Sequence, residues 1–128
     1  MKKLGFFQEF DEDNAENDIM ASCVRSEPAT MQTDVVRYLQ RGIPVIDVME
    51  VSPDVLDGSA VDETGSILTD GEWYWREDLA HYVSKYNIAL PDEFLADIAG
   101  RAYELPLTSV EQLAVATQAV IEDWQRRS

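Results

Sequence analysis

The chain has 128 residues, 45% of them hydrophobic, and 25 acidic against 10 basic residues give a formal net charge of -15 at pH 7. This length predicts a single domain, residues 1–128, that buries a core without disulfide support, and the hydrophobic share is too high for wholesale disorder. Binding to nucleic acids or anionic membranes relies on clustered Lys and Arg, so the charge argues against both as partners.

In chain order, the first predicted element is a short strand with aromatic content, Leu4–Phe10. It is followed by an acidic stretch, Asp11–Asp18, which we expect to be an exposed loop. The first acids of this stretch have the spacing of calcium ligands, but Ala15 replaces the third ligand and Glu16 stands where the sharp turn needs glycine. We therefore expect no calcium site here.

A helix is predicted over Met31–Gln40, because its apolar side chains recur at helical spacing. Thr30 is the expected N-cap of this helix and Gly42 is the expected C′ residue. The next segment, Ile43–Val51, is rich in β-branched residues and predicts a strand that is covered on both faces for much of its length. Residues 52–65 contain proline and glycine and are expected to form a long loop, either irregular throughout or holding one short turn.

The strongest local signal is Asp70-Gly71, which stands between two β-type runs, 66–69 and 72–76. A two-residue type I′ turn needs positive φ at both central residues, and Asp-Gly is favoured there. The resulting register pairs Leu68 with Trp73, and the period of two decides which side chains share a face. The predicted core face carries Leu68, Trp73 and Trp75, and the opposite face carries Ile67 and Tyr74.

Two helices are predicted directly after the hairpin. The first opens with Glu77-Asp78, where acids suit the positive end of the helix dipole, and its apolar residues follow the i, i+3, i+4, i+7 pattern. Asn87 is its expected C-cap. The second helix starts with Pro91 at its first position and ends at Gly100.

The last predicted helix begins with a capping box, Thr108 and Glu111. Its expected inward stripe consists of Val110, Leu113, Thr117, Val120, Ile121 and Trp124. Together the elements predict an α+β fold, with a small antiparallel sheet and three to four helices packed on one side of it. The sheet contains the 66–69/72–76 hairpin and strand 43–51, and strand 4–10 is a further candidate.

The hairpin and the two helices after it resemble a module of a family of small bacterial proteins, carried here by ILTDGEWYW (67–75), DLAHYVSKY (78–86) and LPDEFL (90–95). Segments Tyr38–Gly42 and Asp54–Ser59 are also similar, so the resemblance covers roughly Leu4–Leu95, whereas the C-terminal helix departs from it. Proteins of this kind are similar in size and acidity to immunity proteins of polymorphic or contact-dependent toxin systems. The resemblance carries no catalytic residues to transfer.

The residues most often used in catalysis are scarce, since the chain has one histidine, His81, and one cysteine, Cys23. His81 falls on the polar side of its predicted helix and is expected to be an isolated surface residue, because acid–base chemistry needs a partner that orients the ring. A Cys23–His81 pair stays open, since spatial adjacency is not visible in a sequence. Two such ligands are too few for a structural zinc site. We therefore expect no metal, and in the absence of a recognisable catalytic set or cofactor motif we also expect no catalytic residue and no cofactor.

The expected function is that of an immunity protein, which binds a cognate bacterial toxin domain and blocks its active site. Acidic loops would dock on a basic toxin surface, with electrostatic steering. The alternative is a small acidic adaptor or regulatory protein, and an enzyme is not expected. The absence of a signal-peptide core, a membrane-spanning run and a possible internal disulfide favours the cytoplasm. The candidate partner-binding residues are Asp11, Glu12, Asp13, Glu16, Asp54, Asp57, Asp62, Glu63 and Tyr74.

Overall fold

The computed structural model of the chain describes residues 2–10, 19–47 and 51–127. Within these ranges the strands are β1 (Lys2–Lys3), β2 (Ile43–Ile46), β3 (Ile67–Thr69) and β4 (Trp73–Arg76). The helices are α1 (Gln32–Gln40), α2 (Leu79–Tyr86), α3 (Asp92–Gly100) and α4 (Val110–Arg127), with short 3₁₀ helices at Gln8–Phe10 and Met20–Cys23. The predicted α+β class is confirmed. The predicted acidic loop 11–18 and residues 48–50 of the predicted strand lie outside the described residues.

The strands of the described chain form one sheet in the order β1-β4-β3-β2. The β2–β3 and β3–β4 pairs are antiparallel as predicted, but β1 pairs with β4 in parallel, so the sheet is mixed. The predicted strand 4–10 is wrong, because Gly5 adopts a φ of 72° directly after the Leu4 amide has bonded to the Tyr74 carbonyl at 2.9 Å. A Cβ at Gly5 would lie 2.7 Å from a Leu79 methyl, so the chain can turn away here only with glycine.

The predicted hairpin is present, but its register differs by two residues. Leu68 faces Trp75 rather than Trp73, and Thr69 faces Tyr74. Gly71 has a φ of 101°, whereas Asp70 does not have a positive φ, so the turn is not type I′. Side chains alternate with a period of two, and a slip of two therefore leaves every residue on its predicted face.

The two faces of the hairpin enter two different clusters. Leu68, Trp73 and Trp75 belong to the main core, which α1, α2 and α3 cover, and Trp75 donates from Nε1 to the Leu39 carbonyl at 3.0 Å. The Phe94 ring meets Trp73 edge-on at 5.4 Å between centroids. This arrangement confirms the predicted core face.

The opposite face of the sheet is also covered, so the prediction that the helices gather on one side is wrong. Ile67 and Tyr74 pack there with Val120 of α4. Apolar residues on both faces of a strand need cover on both sides, and α4 provides the second layer. The predicted stripe of α4 is partly wrong, because Val110 is 83% exposed while Ala116 is fully buried. The side chain of Trp124 lies outside the described part of the chain.

The start of α4 is capped one residue later than predicted. Ser109 Oγ accepts from the Gln112 amide at 3.1 Å, and Gln112 Oε1 accepts from the Ser109 amide at 2.8 Å. This reciprocal pair is a capping box of the expected kind, in place of the predicted Thr108–Glu111 pair. Thr108 Oγ1 instead points to the Asp70 carbonyl at 3.4 Å.

Of the caps predicted for α1 and α2, two are confirmed in position and one is wrong. Asn87 ends α2 in the left-handed region, with φ 53°, as predicted. Thr30 is not the N-cap of α1, since Met31 occupies that position with φ 62° and no side-chain cap bond. Gly42 follows the C-cap Arg41 and is the predicted C′ residue, but it has no positive φ. A packing contact requires glycine there, because a Cβ would lie 2.7 Å from the Leu68 Cβ.

Candidate functional site: a surface loop held by a buried carboxylate

Asp54 is almost completely buried and organises the loop that follows it. Its Oδ1 accepts from the amides of Leu56 at 2.8 Å and Asp57 at 3.1 Å, in the manner of an Asx turn. The Asp54 carbonyl accepts from the Gly58 amide at 2.8 Å, and the Asp54 amide donates to the Ser59 carbonyl at 2.9 Å. The loop 54–59 is therefore closed by bonds to a single residue.

Helix α2 supplies the groups that meet the other carboxylate oxygen of Asp54. His81 Nε2 lies 2.8 Å from Asp54 Oδ2, and the Tyr86 hydroxyl donates to the same oxygen at 3.0 Å. Lys85 Nζ lies 3.9 Å from it. His81 and Lys85 are four residues apart and share a face of α2, and Tyr86 is the last residue of the helix; all three reach Asp54. The prediction that His81 is an isolated surface residue is wrong, since its side chain is only 17% exposed.

The hydrogen bonds of this cluster keep Asp54 ionised. Burial alone raises the pKa of Asp54, but the bonds from His81, the loop amides and Tyr86 outweigh it and leave the pKa below its usual value. Burial and the neighbouring carboxylate of Asp54 raise the pKa of Tyr86. A bond from Lys85 lowers the pKa of Asp57. The cluster is thus a carboxylate surrounded by donors, with a neutral tyrosine.

The outward side of the same segment combines apolar and acidic residues, and we refer to residues 51–63 as the presented loop. Val51 is 55% exposed and Val55 is 38% exposed, while the Val55 amide donates to the Tyr82 hydroxyl at 3.0 Å. Asp57 is exposed two residues after Val55, and Asp62 is exposed further along the same loop. Exposed apolar residues together with charged ones are a combination found at protein interfaces.

The predicted partner-binding residues fall into three groups. Asp54 and Tyr74 are buried, 2% and 3% exposed, so the prediction that they dock a partner is wrong. The Tyr74 ring packs against Phe6, with centroids 5.5 Å apart. Asp57, Asp62 and Glu63 lie at the surface of the presented loop. The remaining candidates, Asp11, Glu12, Asp13 and Glu16, lie outside the described residues.

A second buried carboxylate, Asp70, was missed as a site by the sequence reasoning. Its Oδ2 accepts from the Tyr38 hydroxyl at 2.6 Å and lies 3.2 Å from Arg101 Nη1. Its Oδ1 accepts from the amides of Glu72 at 2.9 Å and Trp73 at 2.8 Å. Burial, followed by the bond to Asp70, raises the pKa of Tyr38. This cluster ties the hairpin turn to α1 and to the residue after α3.

The possible Cys23–His81 pair is not formed. His81 is bonded to Asp54, and the Cys23 sulfur lies 4.0 Å from the Ser22 hydroxyl. Among the residues that the structure describes, no group of three His, Cys, Asp or Glu side chains is placed to hold a metal ion. In the same part of the chain, no helix combines the length and apolar character needed to cross a membrane.

Comparison of the chain with family models, with curated proteins and with solved structures found no match. The family resemblance and the immunity function therefore stay predictions, and any function has to be argued from the residues of the site.

Proposed function

We propose that this protein binds a basic partner protein through the presented loop, and that the partner is a toxin domain whose active site it blocks. The observation that carries the proposal is the architecture of residues 51–63. Exposed Val51 and Val55 lie in a segment with surface acids. The buried carboxylate of Asp54 accepts hydrogen bonds from two amides of that segment and so fixes the conformation of part of it. Exposed apolar residues bordered by charge are typical of interfaces.

Fixing a loop before binding favours affinity, because less conformational entropy is lost when the partner arrives. The bonds from α2 to Asp54 and to the Val55 amide hold the loop in this way. The net charge of -15 adds steering, since a basic partner is attracted over several ångströms before contact. Both features support a binding role that requires no chemistry.

The polar groups of the cluster also favour binding over catalysis. His81 and Tyr86 both point at Asp54, and the raised pKa of Tyr86 makes it a poor proton donor at neutral pH. A catalytic base needs a free lone pair within reach of a substrate proton. The same groups are well suited to holding a loop in one conformation.

The test is a protection and binding experiment with the protein encoded by the gene next to the one for this chain. Reversing two charges of the presented loop, Asp62→Lys with Glu63→Lys, should slow association and leave dissociation almost unchanged, because peripheral charges act mainly on the on-rate. Replacing its apolar centre, Val51→Ser with Val55→Ser, should instead speed dissociation. Surface plasmon resonance at low and high salt measures both rates.

A matched control reverses two exposed acids elsewhere, Glu104→Lys with Glu111→Lys, which changes the net charge by the same amount. If the control slows association as much as the loop variant does, the presented loop is not the docking surface. Neutralising Asp11, Glu12, Asp13 and Glu16 compares the other predicted acidic loop in the same assay. Failure of that neighbouring protein to bind the wild-type chain would leave the adaptor as the better proposal.

A further inference from the structure

A small groove lies on a different part of the surface, between residues 25–32 and the helices α2 and α3, with a volume of about 120 Å³. Its apolar floor consists of Val35, Val83, Ile88, Leu90 and Leu95. Val83 and Ile88 are almost completely buried, so residues of the main core form the floor of the groove. Arg25 and Asp92 are charged residues at its border.

The backbone bonds of Arg25 fix one wall of the groove. Its amide donates to the Tyr86 carbonyl at 3.1 Å, and its carbonyl accepts from Asn87 Nδ2 at 3.1 Å. Asn87 in turn accepts from Gln32 Nε2 at 2.8 Å, which joins the start of α1 to the same point. The wall is therefore held at both ends, and the groove exists before any ligand arrives.

Neither border charge is part of an ion pair with another described residue. Arg76 is paired with Asp78, and Arg101 is paired with Asp70 and Glu72. Among residues 2–10, 19–47 and 51–127, no carboxylate lies within 4.0 Å of the charged group of Arg25 and no cation within that distance of Asp92, although the net charge of the chain is -15. One positive and one negative group thus border the same apolar floor with their charges uncompensated.

We propose that this groove binds a free branched-chain α-amino acid. The carboxylate of the ligand meets the Arg25 guanidinium, whose planar fork suits a carboxylate, and the ammonium meets Asp92. The aliphatic side chain of the ligand covers the apolar floor. A ligand with both charges and an apolar side chain satisfies every part of the groove, whereas a simple anion would face Asp92 and a simple cation would face Arg25.

The size of the groove selects among amino acids. A dry cavity of about 150 Å³ holds benzene. The smaller volume here, about 120 Å³, suits an aliphatic side chain of three or four carbons and is too small for an indole. We therefore expect leucine, isoleucine or valine to bind and tryptophan to bind more weakly. This proposal is independent of the toxin partner.

The experiment titrates the full chain with leucine and follows the methyl signals of Val83 and Leu90 by NMR, with calorimetry for the dissociation constant. Leucinamide lacks the carboxylate and isocaproate lacks the ammonium, so each should bind at least about tenfold more weakly, the loss expected for one hydrogen-bonded charge. Arg25→Gln should weaken leucine and leave leucinamide unchanged. Asp92→Asn should weaken leucine and leave isocaproate unchanged.

Two control variants remove a charge outside the groove, Arg37→Gln and Glu104→Gln, and should bind leucine like the wild type. Arg25 and Asp92 are exposed, so circular dichroism should show folded variants in every case. The proposal is overturned if leucine at millimolar concentration moves no methyl signal of the groove. It is equally overturned if leucine, leucinamide and isocaproate bind alike, or if Arg25→Gln leaves the leucine affinity unchanged.

Discussion

Asp54 and Asp70 are both buried carboxylates that accept two backbone amides of a turn, but their side chains are bonded to different numbers of other elements. Asp70 is bonded by Tyr38 of α1 and by Arg101 after α3, so it connects three separate parts of the fold. The side chain of Asp54 is bonded by its own loop and by α2. One carboxylate therefore holds tertiary structure together, whereas the other holds a single loop in place.

The two carboxylates also differ in the groups that balance their negative charge. Arg101 keeps a full positive charge at any physiological pH and its side chain is 22% exposed. Asp54 faces a histidine, a tyrosine hydroxyl and a more distant lysine. Loss of Asp70 leaves two turn amides and the Tyr38 hydroxyl without their acceptor, while Arg101 keeps its ion pair with Glu72. Loss of Asp54 leaves the amides of its own loop and the donors of α2 without theirs. We therefore expect loss of Asp70 to lower the stability of the whole fold, and loss of Asp54 to loosen mainly its own loop.

The largest effect is expected from Asp70→Ala. The turn amides and the Tyr38 hydroxyl lose their acceptor, and each buried group left unsatisfied typically costs about 1–3 kcal/mol, while Arg101 keeps its ion pair with Glu72. Urea denaturation followed by tryptophan fluorescence measures the loss. Tyr38→Phe removes one bond to the same carboxylate and should cost only about 1 kcal/mol. An Asp70→Ala variant as stable as Tyr38→Phe would show that the cluster does not connect the fold.

Gly71→Val should have the next largest effect, about 1–2 kcal/mol, because a β-branched residue tolerates a φ of 101° poorly. Space is not the cause, since a Cβ there would lie 3.4 Å from Thr108 Cγ2, an ordinary contact. Thermal melting checks the loss. Gly100→Ala is the matched control, because Gly100 has no positive φ and open space around it. An unchanged melting temperature for Gly71→Val would mean that the turn adapts.

The hairpin shows how far the sequence could predict the fold. Asp70-Gly71 located the turn, and the alternation of Leu68, Trp73 and Trp75 identified the core face. The central residues of the turn were predicted one position too early, because the Asp70 side chain replaces a backbone acceptor for the Trp73 amide. The other oxygen of the same carboxylate accepts from Tyr38, a contact that spans 32 residues and leaves no local pattern in the sequence.

The candidate site was less predictable for the same reason. The helical spacing of α2 separated His81 from the apolar stripe, but it could not reveal that Asp54, 27 residues earlier, is its partner. Asp54 belonged to a set of acids that sequence alone could not sort into buried and exposed members. The second apolar face of the sheet was visible in Ile67 and Tyr74, yet only the packed structure identifies α4 as its cover.

Asp54→Ala should lower the global stability by about 1 kcal/mol, because the loop is close to solvent and water can replace part of each lost bond. The larger change should be local. Amides of Leu56, Asp57 and Gly58 should exchange with solvent faster, while amides of the hairpin keep their protection. Hydrogen exchange by NMR measures both regions in one sample. Equal acceleration in the hairpin would contradict the separation of the two clusters.

Acid should release the same loop. The pKa of Asp54 is lowered in the folded chain, so its contribution is complete above the unfolded value of 3.8 and disappears as the pH falls through the lower folded value. We expect the exchange of the loop amides to gain an extra acceleration below about pH 4, the usual range of an aspartate. Asp54→Asn should lack this step. A step at the same pH in that variant would assign it to another group.

The smallest effect is expected from Cys23→Ser combined with His81→Gln. Glutamine keeps an N–H donor that can reach the Asp54 carboxylate, and Tyr86 and the loop amides still bond to it, so the loss should stay below about 0.5 kcal/mol. If His81 only positions the loop, the double variant should protect cells against the toxin like the wild type. If a folded double variant lost protection while its loop amides exchanged normally, the imidazole would have a chemical role that holding the loop does not explain. Asp54→Ala completes the test, because it loosens the loop while keeping His81, and a binding role predicts that it weakens protection more than the double variant does.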